Sequence, residues 1–274
     1  MPGRQCGRCA MAEAALAHDV DMIDVRPAFT QDDVDALNAR YAGVPTHVML
    51  RELLAGDLAG RVALVSSFGT ESAVLLHLVS EIDTDIPLVF TNTQKMFGET
   101  LAYRDELAER LGFTDLRVYR PDPRILAEKD RTGLRWSYDP DGCCEIRKVE
   151  PLKRALKGFD AWISGRKGFQ SGTRTALPLF ELDTADAAGS GPKLKINPLA
   201  GWDKTALNAY FEAKDLPHHP LEAEGYLSIG CSPCTSKVMP GEDPRSGRWR
   251  GWDKIECGIH SPIPTTPQAD DPVF

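Results

Sequence analysis

The chain has 274 residues, 42% hydrophobic and 26% charged, an ordinary globular balance that excludes disordered, collagen-like and low-complexity architectures. With 32 Lys and Arg against 40 Asp and Glu, the formal charge is −8, which does not suit a duplex-binding surface and argues against a nucleic-acid partner, though not against a small anion in a locally basic pocket. No stretch reaches the ~18 consecutive apolar residues of a membrane-spanning helix, and no apolar run follows a basic cluster at the start, so the expectation is a cytoplasmic protein with no membrane partner.

Residues 1–28 read as a loosely ordered leader ending near Pro27. Helices are expected over 31–41, with Thr30 as N-cap, and over 45–57. Short apolar runs then alternate with helical stretches. A strand over 61–65 leads into the loop Ser66-Ser67-Phe68-Gly69-Thr70 and a helix over 71–81, with Val74, Leu75, Leu78 and Val79 on its apolar face. A strand over 87–91, a helix over 98–111 and strands over 116–119 and 161–163 follow. This alternation predicts an α/β fold: a doubly wound, mostly parallel sheet with helices on both faces. Residues 184–192 read as a loop before a short strand over 193–196, and 203–213 as a helix. From 238 onward Gly and Pro are dense and periodicity is lost. The expected organisation is therefore one main α/β domain over 29–240 and a flexible C-terminal segment over 241–274, whose last fourteen residues, with four prolines, form a mobile tail.

Four features carry chemistry. The Ser/Gly-rich loop from Ser66 to Ser72, between a strand and a helix, presents backbone N–H groups, hydroxyls and a helix N-terminus to an anion, although a capped tight turn would read the same way. It lacks the Gly-Lys-Ser/Thr ending of a Walker A loop. Second, seven cysteines stand at 6, 9, 143, 144, 231, 234 and 257. The tandem Cys143-Cys144 and the later Cys231-Ser-Pro-Cys234 supply four thiolates for a zinc ion or an iron–sulfur cluster. Adjacent cysteines diverge, so their spacing favours a cluster of several irons while leaving zinc and unligated core thiols open. Third, Cys257 stands alone in Glu-Cys-Gly-Ile-His, with Arg245, Arg248, Arg250, Lys254 and His260 nearby as cations that would favour a thiolate. Fourth, the segment from Gly165-Arg166-Lys167-Gly168 to Arg174 follows the strand ending at Ile163, which puts its cations on the same sheet edge as the Ser66 loop.

In this order the features resemble the assimilatory adenylylsulfate and phosphoadenylylsulfate reductases over about 60–260. The resemblance rests on the Ser66 loop, on Asn92-Thr93-Gln94-Lys95-Met96-Phe97-Gly98-Glu99-Thr100, on Cys143-Cys144-Glu145-Ile146-Arg147-Lys148, on the CxxC and on the terminal Glu-Cys-Gly-Ile-His. It implies an adenine nucleotide alpha hydrolase-like fold, and the four extra cysteines place the chain with the iron–sulfur branch, which mainly reduces adenosine 5′-phosphosulfate. A [4Fe-4S] cluster on Cys143, Cys144, Cys231 and Cys234 is thus implied. So are Cys257 as nucleophile through an S-sulfocysteine, reduced thioredoxin or glutaredoxin as partner, and a homo-oligomer. By position, Arg245, Arg248 and His260 match residues around the phosphosulfate, Lys148 one between cluster and substrate, and Arg174 a substrate-binding arginine. Thr91 and Gly165 lie where backbone holds the adenine, beside the loop residues Ser66, Ser67 and Gly69.

The chain departs from the family pattern at three places. Glu-Asp after the loop is Glu71-Ser72, Leu-Asp-Thr-Gly is Thr91-Asn92-Thr93-Gln94, and paired arginines are reduced to Lys167-Gly168. Cys6 and Cys9 match no family position. Competing readings are a reductase of the 3′-phosphorylated substrate or of both, an ATP-using adenylating enzyme with a pyrophosphatase loop, and a non-enzymatic iron–sulfur sensor. The last two leave Cys257 unused.

Overall fold

The apolar runs pair into one sheet. A computed structural model describes residues 29–56, 58, 60–170, 176–184 and 191–260. Arg174, Cys6, Cys9, the leader, the last fourteen residues and most of the 184–192 loop lie outside them. The strands are β1 (Val62–Val65), β2 (Leu88–Thr91), β3 (Leu116–Tyr119), β4 (Ala161–Ser164), β5 (Phe180–Asp183) and β6 (Lys193–Ile196), in the order β3-β2-β1-β4-β6-β5. All neighbours run parallel except β5, which pairs antiparallel with β6.

Side chains alternate across this sheet. Val62, Leu64, Leu88, Phe90, Ala161, Ile163, Leu194 and Ile196 face the larger core. Ala63, Val89 and Trp162 face a smaller one. Both faces are covered, so the central strands are apolar throughout, as parallel strands require. The larger core is closed by α1 (Gln31–Tyr41), α2 (Thr46–Ala55), α3 (Ser72–Ser80), α4 (Gly98–Arg110) and a helix over Lys204–Ala213. Thr30 opens α1 with a reciprocal capping box to Asp33, and Asp203 caps the Lys204 helix by accepting from the Ala206 N–H at 2.7 Å.

The sequence reading had not anticipated three helical pieces before β4. These are α5 (Pro123–Lys129), α6 (Pro140–Cys144) and α7 (Glu150–Ala155). Asp122 caps α5 and Asp139 caps α6, each followed by a proline in the first turn. An Asp-Pro step is a helix-start signal, because proline supplies no N–H where none is needed. Between α6 and α7 the chain widens into a π turn over Glu145–Val149, closed by the Glu150 N–H donating to Glu145 C=O. Pro151 explains the widening: it has no N–H for the carbonyl four residues back, and its ring crowds that carbonyl.

On the far side of α4 a histidine is buried neutral. His219 is 1% exposed. Its Nδ1 accepts from the Leu221 N–H at 3.2 Å, so its Nε2 carries the proton that reaches Thr100 Oγ1 at 3.0 Å. Burial pushes its pKa down to about 4, and Glu99 only partly opposes this. The unfolded chain binds a proton near pH 6.5 that the folded chain refuses until about pH 4. The resulting stability is therefore complete above pH 6.5 and is lost as pH falls toward 4. Urea titrations at pH 7 and pH 4.5 should show wild type losing on the order of 2 kcal/mol more than His219→Gln. Equal losses would show that His219 does not gate acid stability.

Candidate active site at the carboxyl edge of the sheet

The strand order turns at β1 and β4, with β2 and β3 to one side of β1 and β4 and β6 to the other. Ligands of open α/β sheets bind in the crevice outside the carboxyl ends of the strands at such a point. A cavity of about 470 Å³ lies there. It is lined by Ser66, Ser67 and Gly69 after β1, Thr91 at the end of β2 and Gly165 after β4. Lys148, Arg245, Arg248, Cys257 and His260 line it as well. Every substrate or catalytic position named from sequence, Arg174 apart, thus borders one space.

The Ser66 loop turns sharply. Phe68 adopts φ 50°, a conformation that favours glycine, and is held there by complete burial and an edge-on contact with Phe90 at 5.5 Å. Ser66 Oγ accepts from the Phe68 N–H at 3.1 Å, and the Ser72 N–H donates to Gly69 C=O at 3.0 Å as α3 begins. The neighbouring Thr91–Gln94 turn absorbs two of the departures. Gln94 takes φ 60° where the family pattern has glycine, and Asn92 Oδ1 accepts from its N–H at 2.9 Å.

The cationic wall is built by packing. Arg248 lies so close to Gly230 that a Cβ there would overlap its guanidinium, which sits 4.3 Å over the Trp249 ring. Only glycine leaves room for that approach. Residues 241–260 make contacts among themselves and with the domain. Arg245 Nη2 donates to Ile255 C=O at 2.8 Å and pairs with Glu256 at 3.5 Å. Lys254 pairs with Asp141 at the start of α6, Ile259 packs on the smaller core, and His260 stacks on Trp162 at 5.9 Å with 10° between planes.

These contacts bring Cys257 to Lys148. Burial pushes the Cys257 thiol up, but the Lys148 ammonium, the Ile259 N–H and the Arg248 guanidinium outweigh it and hold the pKa below the ordinary thiol range. For Lys148 burial works downward, and its interactions with the sulfurs of Cys231, Cys257 and Cys144 more than reverse it.

The other cysteines differ. Cys143 and Cys144 are buried on α6, Cys231 is buried, and Cys234 is half-buried in the Ser232–Cys234 turn. Burial pushes Cys143 up to about 11 and Cys144 up to about 12, and raises Cys234 as well. Such thiols ionise readily only against a bound cation. Among the described residues no three His, Cys, Asp or Glu side chains are arranged to hold a single metal ion. Beside them runs a network that sequence reasoning missed. Arg147 and Asp130, 5% and 4% exposed, form a buried pair with Nη2 and Oδ2 2.5 Å apart. Arg147 Nη1 also donates to Thr93 C=O at 2.9 Å, and the Thr93 hydroxyl lies 3.2 Å from Cys231 Sγ. No local pattern marks a pair separated by 17 residues.

Residues 61–237 match the family described as phosphoadenosine phosphosulfate reductase domain. The adenosine 5′-phosphosulfate reductase of Chelativorans sp. (strain BNC1) is 45% identical over 239 residues, spanning 86% of this chain and 94% of the relative. The phosphoadenosine 5′-phosphosulfate reductase of Gloeobacter violaceus is 41% identical over 204 residues, 73% of this chain and 83% of that one. The crystal structure of phosphoadenylyl-sulfate reductase from Candida auris, a phosphate complex, superposes with a TM-score of 0.63 at 28% identity, covering 77% of this chain and 99% of its own. No helix of the described residues is long and apolar enough to cross a membrane. Half of the chain and more lies inside one family match, and the sheet order, the loop and the cavity accord with it: the chain belongs to the phosphoadenosine phosphosulfate reductase family.

Proposed function

We propose that the protein reduces adenosine 5′-phosphosulfate to sulfite and AMP in assimilatory sulfate reduction, with reduced thioredoxin or a related dithiol as electron donor. One observation carries the reading: Cys257, a thiol held below its ordinary pKa, borders the same cavity as the Ser66 loop and faces Lys148 and Arg248. An enzyme that only adenylates, or a sensor, has no use for that placement. The adenosine 5′-phosphosulfate reductases among the relatives support the substrate.

In this mechanism Ser66, Ser67 and Gly69 receive the nucleotide, with Thr91 and Gly165 holding the adenine through backbone. Arg245, Arg248, Lys148 and His260 surround the phosphosulfate, with Arg174 a further substrate contact. The Cys257 thiolate attacks the sulfate sulfur. An S–S bond forms, the S–O bond to phosphate breaks, and AMP leaves with the bonding pair, its charge met by these cations. A thiolate of the dithiol then attacks Cys257 Sγ. Sulfite departs with the electron pair of the S–S bond, and the second donor thiol closes a disulfide on the donor, freeing Cys257. Both electrons of the reduction come from the dithiol. Cys143, Cys144, Cys231 and Cys234 would hold a [4Fe-4S] cluster, and their buried thiol chemistry fits that group. When bound, it supplies negative charge and fixed shape beside Lys148 without changing redox state. A homo-oligomeric enzyme working with thioredoxin in the cytoplasm is part of the same proposal and rests on the family resemblance of the sequence alone.

The test is peptide mass spectrometry after incubation with adenosine 5′-phosphosulfate and no thioredoxin. A sulfonate adduct on Cys257 is expected, on protein carrying about four iron and four acid-labile sulfide per chain. Cluster-bearing protein that gains no adduct would overturn the mechanism, and protein with zinc but no sulfide would overturn the cluster.

A further inference from the structure

The cavity wall also carries acids that have no task in that mechanism. Glu71, at the entrance to α3, borders the cavity with a side chain only 15% exposed. Anions are meant to enter this space, so a carboxylate in its wall works against binding unless it has a purpose. Glu71 is fully engaged. Its Oε1 lies 2.8 Å from Lys204 Nζ, and its Oε2 lies 3.1 Å from Lys167 Nζ and accepts from Gln170 Nε2 at 2.8 Å. Lys167 is 3% exposed, and its ammonium also donates to Gly165 C=O at 3.0 Å.

The remaining acids of the cavity wall lie elsewhere. Glu256 pairs with Arg245, and Asp243 accepts from the Arg245 N–H at 2.7 Å, both on the C-terminal segment beside the Cys257 end. Glu71 and its two lysines instead sit between the start of α3 and the loop after β4, beside Gly165. Given the proposed function, on which this step rests, that is the nucleoside end. Two relatives of similar identity differ in name only by a phosphate on that nucleoside.

We propose that Glu71 is the specificity-determining residue that makes this cavity choose a nucleotide with a free 3′-hydroxyl over its 3′-phosphorylated form. A phosphomonoester brings a charge of about −1.5 to −2 at neutral pH. Here it meets a fixed carboxylate, and the lysines that would receive it are already neutralised. Discrimination comes from the repulsive group and from the withheld cations together. Burial raises the Glu71 pKa, but Lys167 and Lys204 outweigh it and keep the group ionised, so the carboxylate is present at working pH.

The experiment compares wild type, Glu71→Gln and Glu71→Gln with Lys204→Ala. It reads kcat/KM for adenosine 5′-phosphosulfate against its 3′-phosphorylated form, and the Kd of AMP against adenosine 3′,5′-bisphosphate. Wild type should prefer the free 3′-hydroxyl in both. Glu71→Gln should move both ratios at least about tenfold toward the phosphorylated ligand, the scale of one charged contact. Removing Lys204 as well should reverse much of the gain. A gain of this kind cannot come from misfolding. Ratios within about twofold of wild type in Glu71→Gln, or a wild type that already prefers the 3′-phosphate, would overturn the inference. If wild type releases sulfite from neither substrate, the proposed function fails, and the Kd ratios still decide the role of Glu71.

Discussion

Cys257→Ser is expected to release no measurable sulfite from adenosine 5′-phosphosulfate with saturating thioredoxin, a loss of at least ~10⁴-fold in kcat, while AMP binds with unchanged Kd. The oxygen of serine is a far weaker nucleophile at neutral pH, and a serine Oγ bearing sulfonate would be a sulfate ester from which a dithiol cannot draw sulfite. The substitution removes one sulfur and no structural partner of consequence. The segment is anchored instead through Lys254 to Asp141, Ile259 on the smaller core and His260 on Trp162. Loss of turnover with intact nucleotide binding therefore isolates the sulfur. Turnover within tenfold of wild type would require another nucleophile, and the family mechanism would not apply to this chain.

Much of the fold was legible because its signals are local. Val62–Val65, Leu88–Thr91 and Leu116–Tyr119 are short apolar runs between helices of regular period, and the observed bounds fall within a residue of those expected. The edge strand β5 was not legible. Its burial is one-sided and it runs antiparallel to β6, where every other neighbour pair is parallel. The cysteine-bearing α6 and the π turn were missed for another reason. Five residues including a glycine and two adjacent cysteines carry no helical period, and only Asp139-Pro140 announces the start. The residues singled out for a chemical signature, such as Cys257, Lys148 and Arg248, line one cavity. Those acting through long-range pairs, Glu71 with Lys204 and Arg147 with Asp130, depend on contacts that no linear spacing encodes.

That asymmetry bears on Lys148, which sequence could place only by resemblance. Replacing Lys148 by Met should lower kcat/KM by about 10² to 10³-fold, the usual effect of removing one fixed charge at a centre where charge develops. The side chain is half-buried and faces the sulfurs of Cys231, Cys257 and Cys144. Under the proposed mechanism it therefore meets three demands: the Cys257 thiolate before attack, the phosphate charge freed when AMP leaves, and the Cys144 and Cys231 sulfurs behind it. Met keeps the length and apolar stem, so packing on the π turn is preserved and the change is electrostatic. Two readouts separate the demands. The rate at which iodoacetamide alkylates Cys257 without substrate should fall, because that rate follows the thiolate fraction. Single-turnover formation of the Cys257 sulfonate should fall further, because it also senses the departing phosphate. Lys148→Arg should recover part of both. If alkylation slows but sulfonate formation falls no more than alkylation does, Lys148 serves the thiolate alone, and Arg245 and Arg248 carry the leaving group. If neither rate changes, the ammonium acts on the Cys144 and Cys231 sulfurs only, and its place in the cavity wall has no catalytic consequence.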